Sequence, residues 1–365
     1  MGQTEQKARN GFLDALKGFS ILLVVVGHAI QTVPNFDDNI LFRIIYSFHM
    51  PLFMFLSGVV AACSLKPMNW QFIRNKALTL VVPFIAWYII TYLVSGAYQT
   101  TPVWAFFGRL ALAPDVGLWF LWILFLDFCM LALVKNLQRH IGTASFLAVW
   151  LGIQLLPEVS WLGLPLLKWH LTFFLAGYIV WFYRDKLHGY YKPAVITSAA
   201  IFLLGIYFWR RVGDPAFAGK LHAVLTRFNI NQFYPTLLLM YHYAMPFAGI
   251  GLVTWGVMRL ARNKYAYATL AWLGVYTLDI YVSHQYFFPY AVGQGVLHYV
   301  SAAVVALGCS LLLSFLVLRR SAVLSRVLLG GRGSSWGWGI RRRISWMWTK
   351  LVRRQSQVVT SNELS

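Results

Sequence analysis

Charged residues are scarce in this chain, at 12% of its 365 residues, against about 25% in an ordinary soluble protein. With 59% of residues hydrophobic, that scarcity excludes a water-soluble globular domain, which needs more charge to cover its surface. Cysteine is nearly absent. Cys63, Cys129 and Cys309 form an uneven set without metal-type spacing, which excludes a disulfide framework and gives them no redox or metal role. Acids are the third shortage, 11 against 31 Lys and Arg, for a formal charge of +20. Also missing is any polar interval between residues 12 and 318 long enough to fold as a separate soluble domain.

What is present is a series of apolar stretches of membrane-spanning length. A helix needs about 20 residues to cross about 30 Å of hydrocarbon, and on that ruler the chain divides into ten spans: roughly 12–33, 41–63, 73–98, 116–134, 143–157, 166–182, 193–209, 235–260, 268–289 and 296–318. The first contains Asp14, Lys17 and His28 and lacks a small-residue cleavage site, so it reads as a retained span and not as a signal peptide. The expected fold is all-α, a polytopic integral membrane protein of about ten transmembrane helices. A membrane domain over 1–318 is followed by a basic tail over 319–365.

Basic loops stay on the cytoplasmic side of a membrane. With both termini placed inside, most of the 31 bases fall in cytoplasmic segments, among them Arg74 and Lys76, Lys135 and Arg139, Arg184 and Lys186, and Arg259, Arg262 and Lys264. The expected location is therefore the plasma membrane, the inner membrane of a bacterium. The largest outer loop, Arg210 to Tyr234, breaks the bias with Arg210, Arg211, Lys220 and Arg227. Two readings stand for it, tolerated surface charge or attraction of an acidic acceptor. In the tail, Ile340, Ile344, Met347 and Leu351 share one helical face, with Arg342, Arg343, Lys350 and Arg353 turned away and Trp346 and Trp348 nearby. That pattern predicts an interfacial helix on an anionic leaflet. A nucleic-acid partner is not expected, since no binding fold accompanies the basic tail.

Ionisable groups at membrane depth are functional candidates by default. His28, His49, His170, His242 and His284 all fall roughly 6 to 12 Å below the outer surface at 1.5 Å per helical residue. As a set they predict a polar cavity opening outward; singly, each could equally be a histidine paired with a polar neighbour between helices. Lys17 and His28 lie eleven positions apart on one helix, roughly 16 Å along the axis and about 20° around it. A pathway through the membrane explains both, although a snorkelling lysine is the plainer reading of Lys17.

Residues 12–28, FLDALKGFSILLVVVGH, with SFHMPLFMFLSG at 47–58, resemble the acyltransferase 3 family of membrane-bound O-acyltransferases. RNKALTLVVPF at 74–84, GLWFL at 117–121 and LGVYTLDIYVSHQYF at 273–287 add to the resemblance, which runs from about 12 to 318. Lys17 stands where the family often has Arg, and Arg74 with Lys76 stands in place of an Arg-x-x-Arg pair. No hydrolase-like domain is seen after the membrane domain, so the resemblance implies that the membrane domain or a separate partner completes the transfer.

The resemblance implies acetyl-CoA as co-substrate, with no bound cofactor and no metal. The acceptor it implies is a sugar hydroxyl of an exopolysaccharide or other surface glycan, or of a lipid-linked saccharide, in contact with polysaccharide synthesis and export proteins. A hydroxyl is a poor nucleophile toward a thioester without a base. His28 is the candidate base, or the nucleophile of an acyl-histidine relay. His49 is expected to orient His28 or to donate to the oxyanion, and Pro51 is expected to break span 2 just beyond it. Lys17, Arg74 and Lys76 are the candidate donor-binding residues, and Lys17 is also counted with His28 and His49 among the catalytic candidates. Trp119, Asp279 and His284 are the candidate acceptor-side or supporting residues, Asp279 either fixing a histidine tautomer or packing as a buried carboxylate. The same polar residues also suit a transporter or flippase for a glycolipid, or a non-catalytic scaffold in an export complex; absent repeats weigh against the transporter.

Overall fold

The computed structural model describes residues 10–64, 68–112, 114, 117–211 and 213–331. The bases Lys7, Arg9 and Lys66 and the amphipathic stretch 340–353 lie outside them. Among the described residues every regular element is helical. In chain order they are α1 Gly11–Ile30, α2 Ile40–Tyr46, α3 His49–Ala62, α4 Trp70–Lys76, α5 Val82–Val94, α6 Val103–Leu112, α7 Trp119–Ile141, α8 Ala144–Gln154, α9 Leu164–Phe182, α10 Arg184–Leu187, α11 Tyr191–Gly205, α12 Ala218–Arg227, α13 Tyr234–Leu260, α14 Lys264–Val275, α15 Thr277–Ser283, α16 Gly295–Leu313 and α17 Ala322–Leu329.

Eight segments among the described residues are long and apolar enough to cross a membrane: α1, α2 with α3, α4 with α5, α7, α9, α10 with α11, α13 and α16. The expected fifth span is represented by α8, whose 11 residues extend about 16 Å. The expected ninth is interrupted at Tyr276, between α14 and α15, and passes into a 3-10 stretch at His284–Tyr290. Leu203 and Leu204 on α11 are 72% and 75% exposed, which suits a helix flank facing hydrocarbon, where apolar exposure carries no penalty.

Starts of several helices are set by asparagine. Asn10 accepts from the backbone of Phe12 and Leu13, Asn39 from Leu41 and Phe42, Asn69 from Phe72, and Asn263 from Tyr265 and Ala266, satisfying amide groups that the helix itself leaves free.

Two helix pairs carry the centre of the bundle, and glycine sets both. At α1 against α14, Gly18 lies on the Leu270 carbonyl and Gly274 on the Asp14 carbonyl; at α3 against α9, Gly58 lies on the Phe174 carbonyl and Gly177 on the Phe55 carbonyl. A Cβ at any of the four would overlap backbone, so these helices approach as closely as they do because no side chain intervenes. Around these contacts Leu16, Leu52, Phe173, Phe174 and Ile21 are fully buried.

Span 2 is broken at Phe48 (φ −148°, ψ −11°), immediately before His49. This corrects the expectation that Pro51 breaks it beyond His49. Pro51 lies in the first turn of α3, where its missing N–H removes no intrahelical bond.

The bundle continues past 318. A π-turn over Ser314–Leu318 brings Ser314 and Arg319 to one face, and both reach Asp279: Ser314 Oγ donates to Oδ1 at 2.7 Å, and Arg319 Nε and Nη2 donate to Oδ1 and Oδ2 at 2.7 Å each. Trp87 of α5 donates its indole N–H to the Leu328 carbonyl of α17 at 2.9 Å.

Candidate functional site

The glycine-locked pairs place histidines from four elements at one end of the bundle. His28 comes from the last turn of α1, His284 from the end of α15, His49 from the first turn of α3 and His170 from α9. His28 Nδ1 is 2.9 Å from His284 Nε2, with the rings stacked at 5.1 Å and 18° between planes. Tyr46 bridges to His49: its ring is 6.3 Å from that of His28 and 4.5 Å from that of His49. His170 stacks on Trp119 at 5.0 Å and 24°.

The hydrogen bonds assign the tautomers. His284 Nδ1 is 2.9 Å from both the Ile280 and the Tyr281 carbonyl. Carbonyls only accept, so Nδ1 carries the proton and Nε2 is left with its lone pair. The group facing that lone pair, His28 Nδ1, must then be the donor. This leaves His28 Nε2 as a free lone pair on a ring that is only partly buried, which is the form a general base requires.

The same reasoning applies to His49. Its Nδ1 lies 3.0 Å from the Ile45 carbonyl, which also accepts from the Phe48 N–H at 3.3 Å. With Nδ1–H committed there, Nε2 of neutral His49 accepts. His49 in this form suits a hydroxyl donor, whereas the expected oxyanion contact would need a second proton. His170 Nδ1 is buried without a hydrogen-bond partner, the kind of group a bound ligand satisfies.

Asp279 is turned away from the histidines. Its carboxylate, 1% exposed, is taken up by Arg319 and Ser314, so the residue holding His28 in one tautomer is His284. His242, on α13, is half-buried beside Tyr241 at 5.7 Å and has no contact with the other four among the described interactions. At the mouth, exposed Arg211 lies 5.3 Å from the Tyr46 ring and 5.8 and 5.9 Å from Phe36 and Phe42, within electrostatic reach of His28 and His49.

The donor candidates lie toward the opposite end. Lys17 is 3.8 Å from Asp14 in an (i, i+3) pair. Arg74 is exposed. Lys76 is turned into the bundle, its ammonium 3.6 Å from the Phe128 ring centroid and 5.4 Å from that of Phe72. Sequence reasoning did not single out Tyr46, or Arg211 within its loop, because aromatic and arginine residues near an interface are too common to stand out; proximity to His28 exists only in the fold. Asp127, fully buried on α7, has no partner for either oxygen.

A family model described as an acyltransferase domain matches residues 10–319. Among curated proteins, the chain is 31% identical over 184 residues to the nodulation protein NolL of Sinorhizobium fredii, covering 46% of this chain and 47% of that one. It is 27% identical over 177 residues to NolL of Mesorhizobium japonicum, covering 46% of each. The chain thus spans just under half the length of these curated relatives. No solved structure matches. Because the family match spans residues 10–319, from the helix that bears Lys17 and His28 to Arg319, the chain belongs to the acyltransferase 3 family.

Proposed function

We propose that this multi-pass membrane protein transfers an acetyl group from acetyl-CoA to a sugar hydroxyl of an exopolysaccharide, another surface glycan or a lipid-linked saccharide at the inner membrane. The single observation that carries this reading is the bond from His28 Nδ1 to His284 Nε2, which presents His28 Nε2 as a base within a polar cluster of an otherwise apolar bundle.

In the proposed reaction the acceptor hydroxyl gives its proton to His28 Nε2 as its oxygen attacks the thioester carbonyl. The C–O bond forms, the tetrahedral intermediate collapses, the C–S bond breaks, and the imidazolium returns the proton to the departing thiolate. His284 stabilises the imidazolium through the lone pair that faces His28 Nδ1–H. His49 Nε2 accepts from a neighbouring hydroxyl of the sugar, and Trp119 with His170 supplies a flat wall and an open hydrogen-bonding nitrogen. Lys17, Arg74 and Lys76 serve the anionic donor from the opposite end, and polysaccharide synthesis and export proteins supply the acceptor.

The test is single-turnover transfer by the purified full chain in lipid nanodiscs, with acetyl-CoA and an oligosaccharide acceptor, following thiol release and O-acetyl protons by NMR. Wild type releases thiol and forms ester in equal amounts, and His28→Ala slows both about 10²- to 10⁴-fold, the range of a positioned base. A transporter or scaffold predicts neither product from wild-type protein, and that result would overturn the proposal.

A further inference from the structure

A cavity of about 1020 Å³ opens at the end of the bundle remote from the histidines, between the ends of α3, α7 and α9 and the start of α4. Lys135, Arg139 and Arg184 line it, facing Tyr178, Trp181 and Trp70. Two of the bases are seated on aromatic rings: Lys135 Nζ is 4.9 Å from the Tyr178 centroid and donates to Gln138 at 2.9 Å, and the Arg184 guanidinium is 4.5 Å from Trp181 and donates to that residue's carbonyl at 2.9 Å. Arg139 is exposed. The acid in the lining is Asp185, 3.6 Å from Arg184 and 83% exposed, a surface pair that neutralises little. One helical turn deeper, Phe72, Phe128 and Phe174 pack edge to face at 5.8 and 5.3 Å, so an aromatic layer stands between this vestibule and the histidines.

Three bases against one acid, pre-positioned on aromatic walls in a cavity at the upper end of ligand-site volumes, suit an anion that accepts several charge-assisted hydrogen bonds. We propose that this vestibule is a phosphate site, holding a phosphate-bearing ligand by Lys135, Arg139 and Arg184 with its apolar or planar part against Trp70 and Trp181. Two sources share that chemistry. One is the headgroup of an anionic phospholipid, since basic pockets between transmembrane helices take such headgroups. The other is the phosphates of a nucleotide-bearing acyl donor; this source rests on the acyl-transfer reading, and the lipid source does not.

The experiment uses the full chain in phosphatidylcholine nanodiscs. Adenosine 3′,5′-bisphosphate binding is measured by titration calorimetry, and phosphatidylglycerol retention from doped nanodiscs by native mass spectrometry. The expected result is that at least one probe binds wild type and that Lys135→Gln/Arg139→Gln/Arg184→Gln weakens it at least about tenfold. The probe that responds names the source. Lys135→Arg/Arg184→Lys retains binding, and so does the control Lys220→Gln/Arg227→Gln, which removes two positive charges away from the vestibule; together they separate loss of the site from loss of fold. Binding to neither probe, or equal binding by the triple variant, overturns the proposal. His28→Ala binds as wild type does, so failure of acyl transfer and failure of this site are read separately.

Discussion

At the residue level, one nitrogen, His284 Nε2, fixes the tautomer of His28. His284 is held by two backbone carbonyls and cannot rotate to offer its other face without leaving both, so it acts on His28 as a fixed acceptor. Removing it frees the His28 tautomer. His284→Ala is expected to lower kcat about 10- to 100-fold, the equivalent of one charge-assisted hydrogen bond, with KM for the acyl donor unchanged, as steady-state kinetics would show. Asp279 makes a different prediction. Asp279→Asn strands a guanidinium whose side chain is 22% exposed, and breaking a buried pair in this way costs about 3 kcal/mol. The measurement is thermal unfolding of the detergent-solubilised protein: the midpoint falls in Asp279→Asn and recovers in Asp279→Asn/Arg319→Met, where no buried charge remains. If Asp279 instead served His28, the double variant would regain stability without regaining activity.

At the scale of the element, close backbone approach sets histidine geometry. Gly274 lies on the Asp14 carbonyl and Gly18 on that of Leu270, ten residues before His284 and ten before His28 respectively. A bulky side chain at either separates α1 from α14 and pulls the two rings apart. Gly274→Val is therefore expected to abolish transfer and to reduce the folded yield in fluorescence-detected size-exclusion chromatography. Gly308→Ala, on α16 with open space around its Cβ position, should leave both unchanged. Eight of the ten expected spans coincide with segments long and apolar enough to cross a membrane; the fifth and the ninth do not, and the asparagine caps fit the helix starts. The interruption at Tyr276 was not legible, because LGVYTLDIYVS carries no proline, and its Gly274, Thr277 and Asp279 are residue types that also occur within unbroken spans. At Phe48 the proline misled: Pro51 reads as the breaker, yet a proline in a first turn follows a break and does not make one.

At the scale of the whole molecule, the histidine end and the basic end are separated by the length of the bundle. His28, His49, His284 and Trp119 were singled out by reasoning about depth and motif. Their mutual contacts were not, since 256 positions separate the two partners of the central hydrogen bond and helix rotation cannot be derived from one sequence. Arg319 was grouped with the basic tail on charge alone, and only the fold shows it completing the bundle through Asp279. The proposed orientation, with basic loops inside, is tested by labelling: a cysteine at Thr32 is expected to react with a membrane-impermeant maleimide from outside intact cells, and one at Asn263 only after lysis, with Cys63, Cys129 and Cys309 replaced by serine.

The most direct test of the central claim is a double-mutant cycle on the rate of acetyl transfer with His28→Ala, His284→Ala and both together. If His284 acts only by fixing His28, the double variant is no slower than His28→Ala alone. Losses that multiply, or a His28→Ala protein that transfers acetyl at the wild-type rate, would contradict it.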